Sequence, residues 1–331
     1  MHPPAFWSNP PDRPGWAARA LAPLAAVYAA ATACRLAAGV VHRPGIPVVC
    51  VGNLTVGGTG KTPTAIALVE RLSAAGRRPQ VVSRGYGGRL AGPVRVDPSR
   101  HAAADVGDEP LLLAAFAPVW VARDRAAGAR AAEADGADVL LLDDGFQNPA
   151  VAKDLSLVIV DAEIGFGNAR VMPAGPLREP VQTGLSRADA VVSIGDAAAQ
   201  GAFGSTWGTA IPCETLAARI EPLQSGMDWT GFRAFAFAGI GRPEKMFRTL
   251  RDLGAEVVRG VPLGDHQPLT PALMTRMETE ARALGAQLVT TEKDAVRLPD
   301  SFRGRVLTLP VRLRFGDPLA VDTMLSRLFP D

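Results

Sequence analysis

The 331-residue chain has little sulfur, little imidazole, little net charge and no long apolar run. Its three cysteines, Cys34, Cys50 and Cys213, stand far apart without a C-x-x-C spacing. That spacing argues against a zinc site or a disulfide framework, and it fits a reducing compartment. The net charge is +2, so no whole-chain field draws the protein to nucleic acid, and no nucleic-acid partner is expected. The longest uncharged apolar run near the N-terminus, ALAPLAAVYAAATAC (Ala20 to Cys34), would span about 22 Å as a helix at ~1.5 Å per residue. A bilayer core needs about 30 Å. The run is flanked by Arg13, Arg19, Arg35 and Arg43. Two readings fit it: a helix buried against the body of the protein, or one lying in a membrane interface with its arginines at anionic headgroups. Repeats of solenoid period and low-complexity tails are also missing.

What the chain does have is 47% hydrophobic residues, ample for sizeable cores, and a length that suggests two domains. Apolar runs at Ile46–Val51, Gln80–Ser83, Pro118–Val121, Asp138–Leu142, Leu155–Val160 and Ala190–Ile194 alternate with helical patterns at Thr62–Leu72, Pro110–Phe116 and Asp124–Ala134. Continuous apolar strands separated by helices predict a parallel sheet covered on both faces. Residues 197–208, rich in Ala and Gly without a clear period, read as a loop. A second series follows, with strands at Phe235–Ala238, Glu256–Val261, Gln287–Thr291 and Arg305–Leu309 and helices at Pro243–Leu253 and Pro271–Leu284. The expected organisation is an N-terminal hydrophobic or interfacial helix over 1–45, a P-loop domain over 46–225 and a smaller Rossmann-like α/β domain over 226–331.

The stretch GNLTVGGTGKTPTA begins at Gly52, between a strand and a helix. The general phosphate-binding loop is Gly, four free positions, then Gly-Lys-Ser/Thr; here Thr55 stands at the first position. The remainder, Val56, Gly57, Gly58, Thr59, Gly60, Lys61 and Thr62, keeps the working parts. The glycines let backbone N–H groups turn onto an anion, and the following helix points its positive end there. Lys61 can reach the outer phosphates and the Thr62 hydroxyl can bind Mg²⁺. The run VLLLDDGFQ ends an apolar strand in Asp143 and Asp144, the form of the acidic metal-binding strand that accompanies a P-loop. Two other stretches are ambiguous from their residues alone. Asp108 in VGDEP precedes a Pro-started helix and reads most simply as an N-cap. His266 in GDHQPLT is one of four histidines and follows a strand, a position that by itself carries no chemistry.

In order along residues 52–294, the stretches GNLTVGGTGKTP, SRGYGG, VGDEP, LLDDGFQ, GPLREP, the GDH of GDHQPLT, and TTEKD resemble the tetraacyldisaccharide 4'-kinase family of lipid A synthesis in Gram-negative bacteria. That family also has Thr at the first loop position, so the resemblance marks Thr55 as a family variant. It implies transfer of the γ-phosphoryl group of ATP to the 4'-hydroxyl of a tetraacylated glucosamine disaccharide 1-phosphate, forming lipid IVA. It also implies Mg²⁺ held by Thr62, Asp143 and Asp144, and a catalytic pair of Asp108 and His266 acting with Lys61. Arg178 and Glu179 of GPLREP are placed near the site. A substrate with four acyl chains favours the interfacial reading of the N-terminal helix, at the cytoplasmic face of the inner membrane. Two rival readings remain: a P-loop GTPase-type switch or metallochaperone, since TTEKD faintly resembles the Asn-Lys-x-Asp guanine reader, and a non-enzymatic membrane-bound nucleotide module.

Overall fold

The computed structural model describes residues 3–37, 39, 42–224, 226–265 and 267–329. Among them the strands are β1 (Val48–Gly52), β2 (Pro79–Ser83), β3 (Val94–Arg95), β4 (Val119–Val121), β5 (Val139–Asp143), β6 (Leu155–Asp161), β7 (Ala190–Ile194), β8 (Glu214–Pro222), β9 (Arg233–Ala238), β10 (Glu256–Pro262), β11 (Gln287–Thr291), β12 (Leu307–Leu309) and β13 (Val311–Phe315). They form a nine-stranded sheet, ordered β13-β8-β7-β6-β1-β5-β2-β4-β3, and a four-stranded sheet, ordered β10-β9-β11-β12. The large sheet is parallel from β8 to β4, and antiparallel only at its edge strands β3 and β13. The small sheet is wholly parallel.

The burial of the central strands explains their composition. β1, β2, β5, β6 and β7 are buried at every position, as strands covered on both faces must be. Val49, Val51, Val81, Leu141 and Ile159 face one core, with helix Lys61–Ala74. Val48, Cys50, Val82, Leu142 and Val160 face the other, with helix Arg125–Ala134. In the small sheet, β9 reads RAFAFA. Its alanines pack beneath helix Pro243–Asp252, and Phe235 and Phe237 pack with Met274 and Met277 of helix Pro271–Ala283.

The expected loop at 197–208 is instead a helix, Ala197–Trp207. Asp196 caps it by accepting a hydrogen bond from the Ala199 N–H at 2.8 Å, and Phe203 and Trp207, four apart, are buried on one face. Glycines at 201 and 204 dilute the pattern without overriding cap and burial. The strand expected at 305–309 is present as β12, but the chain then returns to the large sheet. β13 pairs antiparallel with β8, burying Leu313 and Phe315 while Arg314 points outward, the alternation of a half-covered edge strand. The segment 226–331 is therefore divided between both sheets. At the N-terminus, helix Ala22–Ala37 follows the short helix Trp16–Ala20. Among the described residues no helix is long and apolar enough to cross a membrane.

Candidate active site

In an open parallel sheet, ligands bind beyond the carboxyl ends of the strands where the strand order reverses. Here the chain leaves β1 toward β5 and β2 on one side and later fills β6 and β7 on the other, so the reversal lies beside β1. The phosphate-loop residues follow β1 directly. Gly57 and Gly60 adopt φ of 107° and 94°, conformations open to glycine, and the helix starts at Lys61. Asn53, wholly buried, ties the loop by donating to Thr59 Oγ1 at 3.2 Å. The first half of the loop lies along GPLREP. The Val56 N–H donates to Pro176 O at 2.8 Å, the Arg178 N–H donates to Leu54 O at 2.7 Å, and Thr55 pairs antiparallel with Leu177. That pairing brings together two motifs more than a hundred residues apart.

β5, next to β1, places both aspartates at the same edge. Lys61 Nζ lies 3.7 Å from Asp144 Oδ1. Arg178 Nη1 donates to both oxygens of Asp144, at 3.0 and 3.2 Å. Burial raises the Asp144 carboxyl, but Lys61 and Arg178 outweigh it and hold the group below the ordinary range. Asp143 is the opposite case. Its Oδ2 accepts from Ser83 Oγ at 2.9 Å, while its buried Oδ1 has no hydrogen-bond partner. Burial first, then the carboxylates of Glu109 and Asp144, push it up to about 7. Two adjacent carboxylates thus have divided characters, and the orphaned Oδ1 is a hard oxygen donor suited to a divalent cation. Among the described residues no group of three or more His, Cys, Asp or Glu could hold a metal alone.

Glu179 is 2% exposed. It accepts from Gln147 Nε2 at 3.0 Å and from Arg187 Nη2 at 2.5 Å, and Gln147 also donates to Asn53 O at 2.9 Å. Glu179 therefore holds the DDGFQ turn against the phosphate loop, while Arg178 touches the acid pair itself.

Asp108 is the first residue of helix Asp108–Leu113; the cap position belongs to Gly107, at φ 91°. The N-cap reading is displaced by one residue. Asp108 Oδ1 accepts from the Glu109 N–H at 3.0 Å, and Arg297 Nε stands 3.7 Å from Oδ2. Glu109 links this helix to the acid pair through its effect on Asp143 and accepts from Lys293 Nζ at 3.1 Å. His266 lies outside the described residues, but its neighbour Asp265 is 3.5 Å from the same Lys293 Nζ. Lys293 is raised above its ordinary value: burial lowers it, and Glu109, Asp108 and Asp265 together overcome that.

The residues of TTEKD are all committed within the protein. Thr291 caps the turn by accepting from the Asp294 N–H at 3.1 Å, and Asp294 Oδ2 accepts from the Gly239 N–H at 3.0 Å. Glu292 accepts from the Val311 N–H at 3.0 Å and from Arg312. A guanine reader needs its aspartate facing a base, and this one is wholly buried. Sequence reasoning missed Ser83, Glu109 and Arg297. The first two had a visible signal, at the end of a strand before SRGYGG and beside Asp108; Arg297 had none.

The family model for "Tetraacyldisaccharide-1-P 4'-kinase" matches residues 17–329. The chain belongs to this family. It is 64% identical over 332 residues to the tetraacyldisaccharide 4'-kinase of Dinoroseobacter shibae, covering 100% of this chain and 98% of the relative. It is 57% identical over 331 residues to that of a Jannaschia species, covering 99% and 100%. In fold it is similar to the LpxK protein of Aquifex aeolicus in complex with ATP, with a TM-score of 0.72 at 24% identity, covering 95% of this chain and 99% of that one. The fold of this kinase-family chain is thus the P-loop kinase fold, and the GTPase-switch and non-enzymatic readings are not favoured.

Proposed function

We propose that the chain phosphorylates tetraacyldisaccharide 1-phosphate through the site at the carboxyl edge of β1 and β5. The reaction is the family's: ATP donates its γ-phosphoryl group to the 4'-hydroxyl, giving lipid IVA and ADP. Lys61 and the inward N–H groups of the 57–61 loop bind the outer phosphates, aided by the positive end of helix Lys61–Ala74. Thr62, Asp143 and Asp144 would hold Mg²⁺, which when bound neutralises charge on the β- and γ-phosphates. Asp108 accepts the proton of the 4'-hydroxyl as its oxygen bonds to the γ-phosphorus and the bond from phosphorus to the bridging oxygen breaks. His266, in this reading, orients and tunes Asp108. Phosphoryl transfer asks mainly for alignment and charge compensation, which is what these fixed groups offer.

The observation that carries the reading is the pairing of Lys61 with Asp144 beside the partnerless Asp143 Oδ1. The test is ³²P transfer from ATP to a lipid A disaccharide 1-phosphate precursor in mixed micelles. Loss of transfer in Asp108→Asn with ATP binding retained is the expected result; wild-type turnover in that variant would remove Asp108 from the chemistry.

The substrate's acyl chains require the enzyme to work at a membrane surface, and we place it on the cytoplasmic face of the inner membrane as a peripheral or monotopic protein. Helix Ala22–Ala37 buries only Ala25 and Thr32. Leu24 and Val27, 58% and 68% exposed, and Trp16, 83% exposed, offer apolar surface of the kind an interfacial helix immerses.

A further inference from the structure

Arg297 belongs to the segment after β11, yet its guanidinium reaches Asp108, 189 positions earlier in sequence. Its side chain is 7% exposed, and that of Asp108 is 2% exposed. Three contacts fix the fork among residues of its own half of the chain. Nη1 donates to Gln267 O at 3.0 Å, Nη2 donates to Gly239 O at 3.4 Å, and Nη2 also pairs with Asp294. Nε is left: it is buried without a hydrogen-bond partner, and it stands 3.7 Å from Asp108 Oδ2. A buried N–H left unmade is costly, and an approach of less than about 1 Å would bring this pair into charge-assisted hydrogen-bond range.

We propose that Arg297 is a positioning residue for Asp108: its Nε–H sets the orientation of the carboxylate that accepts the acceptor's proton. The inference rests on the reading of Asp108 given above. The arrangement uses properties specific to arginine. A planar fork can spend its Nη groups on fixed carbonyls and a carboxylate while aiming Nε elsewhere; an ammonium cannot. Through Gln267 O, Arg297 also holds the chain at Gln267, so one side chain joins that backbone to the Asp108 carboxylate. The Asp294 pairing holds the fork in place and takes up part of its charge.

A purely structural arginine, stapling β9 to the turn after β11, makes a different prediction from a positioning one, and a double-mutant cycle in the full-length protein separates them. Arg297→Gln is expected to lower kcat for ³²P transfer on the order of 10²-fold, the scale of a misplacement near 1 Å, with the KM for ATP changed less than about twofold. In an Asp108→Asn background, the same substitution should change the residual kcat by less than about twofold, the tolerance expected when its partner is already gone. Should multiple turnovers by Asp108→Asn be too slow to follow, its residual transfer is read as a single-turnover rate with enzyme in excess of acceptor. Arg297→Lys, which keeps the charge and risks less to folding, should lose kcat in the wild-type background and not in the Asp108 variant. Losses that multiply across the two backgrounds, or that fall on the KM for ATP, would overturn the positioning role and leave the Asp108 reading intact. Wild-type turnover in Asp108→Asn would overturn both.

Discussion

Lys61 Nζ stands 3.7 Å from Asp144 Oδ1, so the cation proposed to meet the incoming phosphates is already paired with the acid loop. Asp144 holds a second cation, Arg178. When anionic phosphates arrive, Lys61 can turn to them without stranding Asp144. Lys61→Ala should therefore lower ³²P transfer by at least about 10²–10³-fold, the scale of losing one donor aimed at developing charge, while the melting temperature of the ligand-free protein stays close to wild type. A variant with unchanged turnover would show that the loop does not hold the transferring phosphate.

Asp143 allows a pH prediction whose sign differs from that of most carboxylates. Its folded value is raised from 3.8 to about 7. The folded state therefore binds the proton more tightly than the unfolded one, and stability falls as pH rises from about 4 to about 7. At 1.36 kcal/mol per unit over roughly three units, this amounts to up to about 4 kcal/mol. In EDTA, Asp143→Asn should melt higher than wild type at pH 8, with the difference vanishing near pH 4, and it should transfer no phosphate. Equal melting temperatures at pH 8 would mean that Asp143 is ionised without penalty.

The site was legible in proportion to how local it is. The phosphate loop and acid strand are each one contiguous stretch with a strand before it, so spacing alone singled out Lys61, Thr62, Asp143 and Asp144 as candidates. Most strands of the large sheet declared themselves through unbroken apolar runs. Helix Ala197–Trp207 did not, because its signal is a cap plus two buried aromatics among small residues. β13 did not, because its place beside β8 depends on the chain crossing back from the small sheet. Arg297 could not be read at all: its nearness to Asp108, at 3.7 Å, joins two segments 189 positions apart in sequence.

Gly52 ends β1 where the acid loop passes closest. A Cβ built there would lie 2.4 Å from Phe146 Cβ, and Phe146, 2% exposed, has no room to retreat. Gly52→Ala must push the DDGFQ turn away from the phosphate loop. Overpacking of this kind costs about 1–3 kcal/mol, and the displaced aspartates should lower kcat as well. Chemical denaturation and ³²P transfer on the same preparation check both. An alanine variant equal to wild type in each would show that the turn slides freely over β1.

The N-terminal helix can be tested through its own cysteine. Cys34 is exposed, whereas Cys50 is buried, and burial pushes the Cys50 thiol up to about 12. With Cys213 replaced by serine, a maleimide at pH 7 should label Cys34 quickly and Cys50 hardly at all, because the thiolate is the reacting form. If the helix lies in the interface, vesicles containing anionic lipid should slow Cys34 labelling while neutral vesicles slow it less. Salt at about 1 M, where the Debye length falls to about 3 Å, should restore part of the rate by screening the flanking arginines. Apolar immersion of Leu24 and Val27 should retain the rest. Leu24→Glu with Val27→Glu should abolish the protection, since both side chains point away from the protein. These substitutions should raise the KM for a lipid acceptor presented in vesicles and leave ATP binding unchanged. Cys34 labelling that ignores vesicles on which the enzyme is turning over would place the helix off the membrane.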